Sequence, residues 1–358
     1  MKAENQSKIE NLRYGTIGYS RYTERSAENE RGTVIIHEDG YDRIIKDYPH
    51  IFRVYRLNNG IKHFFGSGYF YVEEKLDGYN VRIIKHKENI IAVTRGGFIC
   101  PFSTEWIQYW MKSYRLDDFF NLYPDRIICA EFVGDNPYNS KRDNLLPPGL
   151  SFFCFDIMCN DGKLLPVEEK YAIFSSLNLP QVNSFGRFRF ANSDKLKEII
   201  LELNRRQREG IVLKDVHGNR SIKFVTAESD LLDIEKSLAY FYDIEPGFYS
   251  NRLMRISLFV QEFNLDEKEY IDRIGRAVVR GYSFLLDYNS SLETFTIYMH
   301  SMECWEELKK LIILHKDIIH NGAEPVDING VMLHKIVFER KHKKSTEKYH
   351  QILSGHDE

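Results

Sequence analysis

The chain has 358 residues, enough for two or three domains with sizeable cores. With 43% hydrophobic and 28% charged residues it reads as a soluble globular chain, which excludes a disordered one. The formal net charge of -3 gives no global signal for nucleic acid, although a local basic cleft can hide in a balanced total.

In chain order, residues 1–28 are polar and predict a loosely ordered start. TVII, the turn HEDGYD and IFRVYRL then suggest a small N-terminal subdomain over 1–58. From 59 to 235 strands dominate. GYFYVEEKL, NVRIIKH, IIAVTRGG, RIICAEFVG, LSFFCFDIM, GIVLKDV and SIKFVT are each rich in Val, Ile, Phe and Tyr. Two helices interrupt them. One is capped by Ser103 and carries Trp106, Trp110 and Met111. The other opens near Ser193, with Leu196, Ile199, Ile200 and Leu203 at helical spacing. Strands and helices do not alternate strictly, so the expected class is α+β with mainly antiparallel sheets and flanking helices. Residues 236–290 read as helical, with a long amphipathic stretch opening at Leu265-Asp266. Residues 291–358 read as a small α+β unit: TFTIYMH, a helix over Met302 to Lys316, VMLHKIVFERK and a basic end.

Five cysteines (Cys100, Cys129, Cys154, Cys159, Cys304) form no CxxC pair and suit reduced thiols. No apolar run reaches spanning length, and the first 30 residues lack a signal-peptide core. The expected location is the cytoplasm, away from membranes.

The chemistry starts at Lys75-Leu76-Asp77-Gly78. Alone, this tetrapeptide is as well explained by a hairpin whose turn is Asp-Gly. Other elements follow in order: Thr94-Arg95-Gly96-Gly97, Ala130-Glu131-Phe132-Val133-Gly134, Phe153-Cys154-Phe155-Asp156, Glu209-Gly210-Ile211-Val212-Leu213-Lys214 and Ile222-Lys223-Phe224. Taken singly, the lysines read as solvated and the phenylalanines as core. Glu131 is harder to dismiss, because a carboxylate in an apolar strand is costly to bury unpaired.

This series over about 60–230 resembles the covalent nucleotidyltransferases: ATP-dependent DNA ligases, RNA ligases and mRNA capping enzymes. The resemblance implies that Lys75 attacks the α-phosphorus of ATP and forms a lysyl-AMP. A free lysine is protonated at neutral pH, so its pKa must fall or a base must take the proton. Lys214 and Lys223 are the expected cations for lowering it and for binding phosphate. Glu209 is the expected ligand of Mg²⁺, with Mn²⁺ as an alternative. Glu131 and Arg95 are assigned to the ribose, and Phe155 to stacking on adenine with Phe153 as the alternative. Glu73 or Glu74 is assigned to the adenine amino group. Gly78 is expected to let the backbone approach the nucleotide.

Departures narrow the choice. DNA ligases and capping enzymes carry arginine five residues after the lysine. Here that position is Asn80, and Arg82 follows two later and is counted with the nucleotide-binding set. KxDGYNVR resembles the archaeal homodimeric ATP-dependent RNA ligases, whose plan matches the segmentation above: a nucleotidyltransferase domain over 59–235, a dimerisation domain over 236–290 and a C-terminal domain over 291–358. No RxDK-like motif follows residue 235. In the last motif Ser221 stands where a first lysine is usual, leaving Arg220 as substitute or Lys223 alone.

The resemblance implies sealing of RNA 5′-phosphate and 3′-hydroxyl ends, with circularisation of single strands favoured by effective concentration. A DNA ligase, a capping-type enzyme and a non-catalytic nucleic-acid-binding module are the alternatives. Lys141, Arg142 and the loop from Gly134 to Pro148, or the tail at Lys341, Lys343 and Lys344, are the expected RNA contacts. Ile271, Ile274, Val278 and Leu285 are the expected dimer face.

Overall fold

The computed structural model describes residues 9–38, 40–139, 149–283, 291–314 and 316–355. It opens with an antiparallel meander, β1 (Ile9–Tyr14), β2 (Ile17–Tyr22), β3 (Val34–Glu38) and β4 (Tyr41–Ile45). The loosely ordered start expected over 1–28 is therefore corrected from residue 9 onward. Tyr19, Val34, Ile36 and Ile45 all bury into one cluster with Ile84, Ile91 and Val93 of a later sheet. One face of a strand needs only alternate apolar residues, so a polar average conceals it. IFRVYRL contributes only β5 (Phe52–Arg53), and α1 (Leu57–Phe65) follows, with Leu57 and Ile61 buried one turn apart.

The central part contains β6 (Phe70–Lys75), β7 (Gly78–His86), β8 (Asn89–Thr94), α2 (Pro101–Trp110), α3 (Leu116–Leu122), β9 (Ile127–Gly134) and β10 (Leu150–Met158). After these come α4 (Val167–Ser176), β11 (Ser184–Phe188), α5 (Ser193–Arg205), β12 (Gly210–Asp215) and β13 (Ser221–Val225). All seven strand segments read from the sequence form strands. Helix α2 starts two residues before Ser103, with Cys100 as its N-cap.

Two sheets result. One has the order β10-β9-β7-β8, all antiparallel. The other has the order β11-β6-β12-β13-β5, antiparallel except for the parallel pair β13-β5. Strands β6 and β7 thus lie in different sheets, and Leu76-Asp77 is a crossover between them and not a hairpin turn.

The C-terminal part contains α6 (Ala227–Ser237), α7 (Gly247–Phe263), α8 (Glu267–Tyr282), β14 (Leu292–Met299), α9 (Met302–Ile313), β15 (Asp317–Ile328), β16 (Val331–Lys341) and α10 (Lys343–Leu353). Each central sheet takes its own partner. Phe259 and Phe263 of α7 join the core of the five-stranded sheet beside Phe224. The sheet β14-β16-β15 and α9 join the core of the four-stranded sheet, where Trp106 Nε1 donates to the Tyr298 carbonyl at 2.9 Å. Strand β15 and helices α1, α4 and α10 had no counterpart in the sequence reading. The stretch after Leu265 begins a new helix because Asp266 caps α8 by accepting from the Lys268 amide at 2.9 Å. Among the described residues, no helix is long and apolar enough to cross a membrane.

Candidate active site

A cavity of about 510 Å³ opens at the seam between the two central sheets. Its volume lies within the range of small-molecule sites. Of the residues read from the sequence, Glu73, Glu74, Lys75, Arg95, Glu131, Phe155, Lys214 and Lys223 all line it. Six segments far apart in sequence converge there because the crossover at Leu76-Asp77 joins β6 of one sheet to β7 of the other.

Two glycines make the crossover sterically possible. A Cβ at Gly78 would stand 2.0 Å from the Phe132 carbonyl oxygen, so glycine is required by the approach of β9. Gly78 also lines the cavity, where the close approach of a nucleotide was expected. Gly210, with φ +149°, would put a Cβ 2.1 Å from the Phe224 oxygen.

Lys75, the last residue of β6, pairs with Glu209 at 2.7 Å. Burial works against its charge, but Glu209 and then Glu131 outweigh it and hold the ammonium above its usual range. Glu131 stands opposite Asn80 in the β7-β9 register. Burial pushes its carboxyl up to about 8, against the attraction of Lys75. Asn80 also lines the cavity, and its buried Oδ1 has no hydrogen-bond partner among the described residues. Lys223 is pushed down to about 8 by burial and by the charges of Arg53 and Lys75.

Lys214 lines the cavity and is itself ion-paired. It sits in a buried cluster, 2.6 Å from Glu73 and 2.8 Å from Asp156. Lys170 of α4 completes the cluster, 2.6 Å from Glu73 and 2.8 Å from Asp156. The Tyr48 hydroxyl donates to Asp156 at 2.5 Å, and the Tyr171 hydroxyl donates to Glu73 at 2.7 Å. Burial pushes Glu73 and Asp156 up, yet the two ammoniums outweigh it and hold both carboxyls below their usual range. A bulge between Cys154 and Asp156 breaks the β10 ladder, and the freed Phe155 carbonyl accepts from Lys170 and Lys214. The Phe155 ring lines the cavity, whereas Phe153 lines a separate pocket with Tyr171 and Arg208.

Arg82 is a correction to the nucleotide-binding set. It is fully buried outside the cavity and donates to the carbonyls of Lys46, Gly32 and Thr94, with Asp47 at 3.6 Å. It ties the N-terminal meander to the strand end carrying Thr94 and Arg95. Arg220 points elsewhere, toward the Phe64 carbonyl. Glu74 pairs with Arg208 at 2.7 Å.

Sequence reasoning missed Tyr48, Arg53, Asp156, Lys170 and Tyr171. Two of these carried a signal. Asp156 sits in an apolar strand as Glu131 does. Lys170 falls with Val167 and Phe174 on the buried face of α4.

A second, larger cavity of about 1090 Å³ adjoins the first, and both are lined by Gly78, Tyr138 and Asn139. It also takes in Arg53, Asp77, Glu209, Lys341, Lys343 and Lys344. The basic tail therefore borders the site, and it is helical: Lys343 begins α10. Lys141 and Arg142 lie outside the described residues, as does Leu285.

A family model for RNA ligase matches residues 68–225, the segment that carries every motif of the site. That segment belongs to the RNA ligase family. An archaeal ATP-dependent RNA ligase structure is 28% identical, with 98% of this chain and 93% of that one covered at a TM-score of 0.85. A structure provisionally named an ATP-dependent DNA ligase, from Aquifex aeolicus, is 31% identical, with 98% and 96% covered and a TM-score of 0.85. An uncharacterised protein of Methanocaldococcus jannaschii is 29% identical over 357 residues, spanning 91% of this chain and 85% of that protein.

Proposed function

We propose that this protein seals RNA 5′-phosphate and 3′-hydroxyl ends with ATP, through a lysyl-AMP on Lys75 and an RNA-adenylate. The observation that carries this reading is a half-buried lysine lining a nucleotide-sized cavity, paired to Glu209 at 2.7 Å and accompanied by Glu131, Arg95, Phe155 and Lys223. In the first step a bond forms between Lys75 Nζ and the α-phosphorus. The bond to the bridging oxygen breaks, and pyrophosphate leaves with the electron pair. The phosphate oxygen of RNA then displaces the lysine, and the 3′-hydroxyl finally displaces AMP.

Lys75 must shed its proton first. Its partner Glu209 is the assigned ligand of a divalent metal, Mg²⁺ or Mn²⁺, and the proton would leave to water once that carboxylate turned from the ammonium to the metal. Among the described residues, no three His, Cys, Asp or Glu side chains cluster closely enough to hold a metal alone. That fits a hard cation completed by substrate phosphates and water, held by Glu209 with Asp77 and Glu131 in its field. Such a metal would neutralise charge developing on the phosphate oxygens. With Glu209 so engaged, burial beside Lys223 and Arg95 favours the neutral amine. Asn80 and Glu131 supply acceptors for the ribose, and Phe155 supplies the ring for adenine.

The division at 59–235, 236–290 and 291–358 is kept as the domain plan. Circularisation of single strands, a homodimer built on 236–290 and RNA contact by Lys341, Lys343 and Lys344 complete the reading.

The test uses α-labelled ATP and Mg²⁺ without RNA on protein first stripped with pyrophosphate. The expected result is a labelled protein band with ATP, absent with GTP and in Lys75→Ala. Labelled protein should then circularise 5′-phosphorylated RNA, with nicked duplex DNA as the competing substrate. No label on stripped protein would sink the covalent mechanism, and preference for the nicked duplex would favour DNA ligation.

A further inference from the structure

Arg53 belongs to no motif of the site, yet it stands in register with Lys223 on the neighbouring strand β5. Side chains paired across adjacent strands project from the same face. Arg53 is exposed on the wall of the larger cavity, and Lys223 lines the smaller one. Among the described residues, neither makes an ion pair or a side-chain hydrogen bond. Its guanidinium neighbours are already paired: Arg255 is bound to Asp230 and Arg252 to Asp233. Two like charges left side by side in register repel, and the arrangement is relieved by an anion.

We infer that Arg53, with Lys223, forms one anion site that receives the pyrophosphate part of ATP in the first step and the RNA 5′-phosphate in the second. This rests on the proposed lysyl-AMP reading. Displacement at phosphorus is in line, so the group opposite Lys75 Nζ is the leaving pyrophosphate when lysine attacks. It is the entering RNA phosphate when lysine leaves. Both anions occupy one apical position. Lys75 lines the smaller cavity and its partner Glu209 the larger, so that position faces the larger cavity, where Arg53 stands.

The experiment uses adenylated full-length protein. Pyrophosphate-driven release of ATP and AMP transfer to 5′-phosphorylated RNA are each titrated for wild type, Arg53→Ala and Arg53→Lys. In wild type, pyrophosphate should compete with 5′-phosphorylated RNA and not with 5′-hydroxyl RNA. Arg53→Ala should raise both half-saturation concentrations together, by about tenfold or more, as loss of a charged hydrogen bond does. Arg53→Lys should recover part of both, and it serves alone if the alanine variant loses its melting transition. A change in one constant without the other, or in neither, overturns the shared site. Wild type that takes no label from ATP would instead overturn the lysyl-AMP reading, so the two failures are distinct.

Discussion

Glu131 shows how a single residue can sit in a catalytic cavity at a cost. Its carboxyl ordinarily titrates near 4.3 in an unfolded chain. Burial raises it to about 8 in the fold. A group with a raised folded pKa takes up protons that the unfolded chain has released. The stability it contributes is therefore full below about pH 4 and is lost as pH rises toward 8. Glu131→Gln cannot titrate, so its melting temperature should fall less than that of wild type between pH 5 and 8. Parallel slopes in differential scanning calorimetry would show that the carboxyl is not perturbed. The sequence raised this question correctly, since a charge inside AEFVG demanded a reason.

At the level of elements, the cluster of Glu73, Asp156, Lys170 and Lys214 ties β6, β10, α4 and β12 together. Two carboxylates and two ammoniums cancel, and every one of the four is essentially inaccessible to water. Removing one member leaves an uncompensated buried charge, whereas removing an opposite pair does not. Lys170→Met should therefore cost about 3–5 kcal/mol in urea unfolding. Adding Glu73→Gln should return part of that loss, and strictly additive effects would refute the coupling. The cluster also holds the bulged Phe155 carbonyl, which aims the neighbouring ring into the cavity. The strands of this region were legible because parity, β-branched residues and aromatics mark them over short windows. Helix α4 was not legible, because its buried face carries a lysine whose partners lie 14 and 97 residues away.

For the whole molecule, helix α8 leaves Ile271, Val278 and Val279 exposed, at 66%, 38% and 73%. Ile274 instead packs against the core of the five-stranded sheet. An exposed apolar stripe on one helix suits association with a second copy. Light scattering on the full chain should give the mass of a dimer. The double variant Ile271→Glu and Val279→Glu should give a monomer that still labels with ATP. A wild-type monomer at micromolar concentration would remove the dimer from the proposed function.

The sequence by itself determined the kinship with RNA ligases and which segments of the central part are strands, because both are written in local patterns: short motifs in fixed order, and alternation along a strand. Only the tertiary structure decided what those residues do to one another. Lys75-Leu76-Asp77-Gly78 spells a hairpin turn equally well, until β6 and β7 are seen in separate sheets. Arg82 looks like a nucleotide ligand until three backbone carbonyls claim its guanidinium, and the cavity-lining Lys214 is seen to be held by Asp156 and Glu73. Arg53 carries no motif at all and acquires meaning from its register with Lys223. Electrostatic partners are chosen by distance in space, and spacing along the chain does not encode that distance.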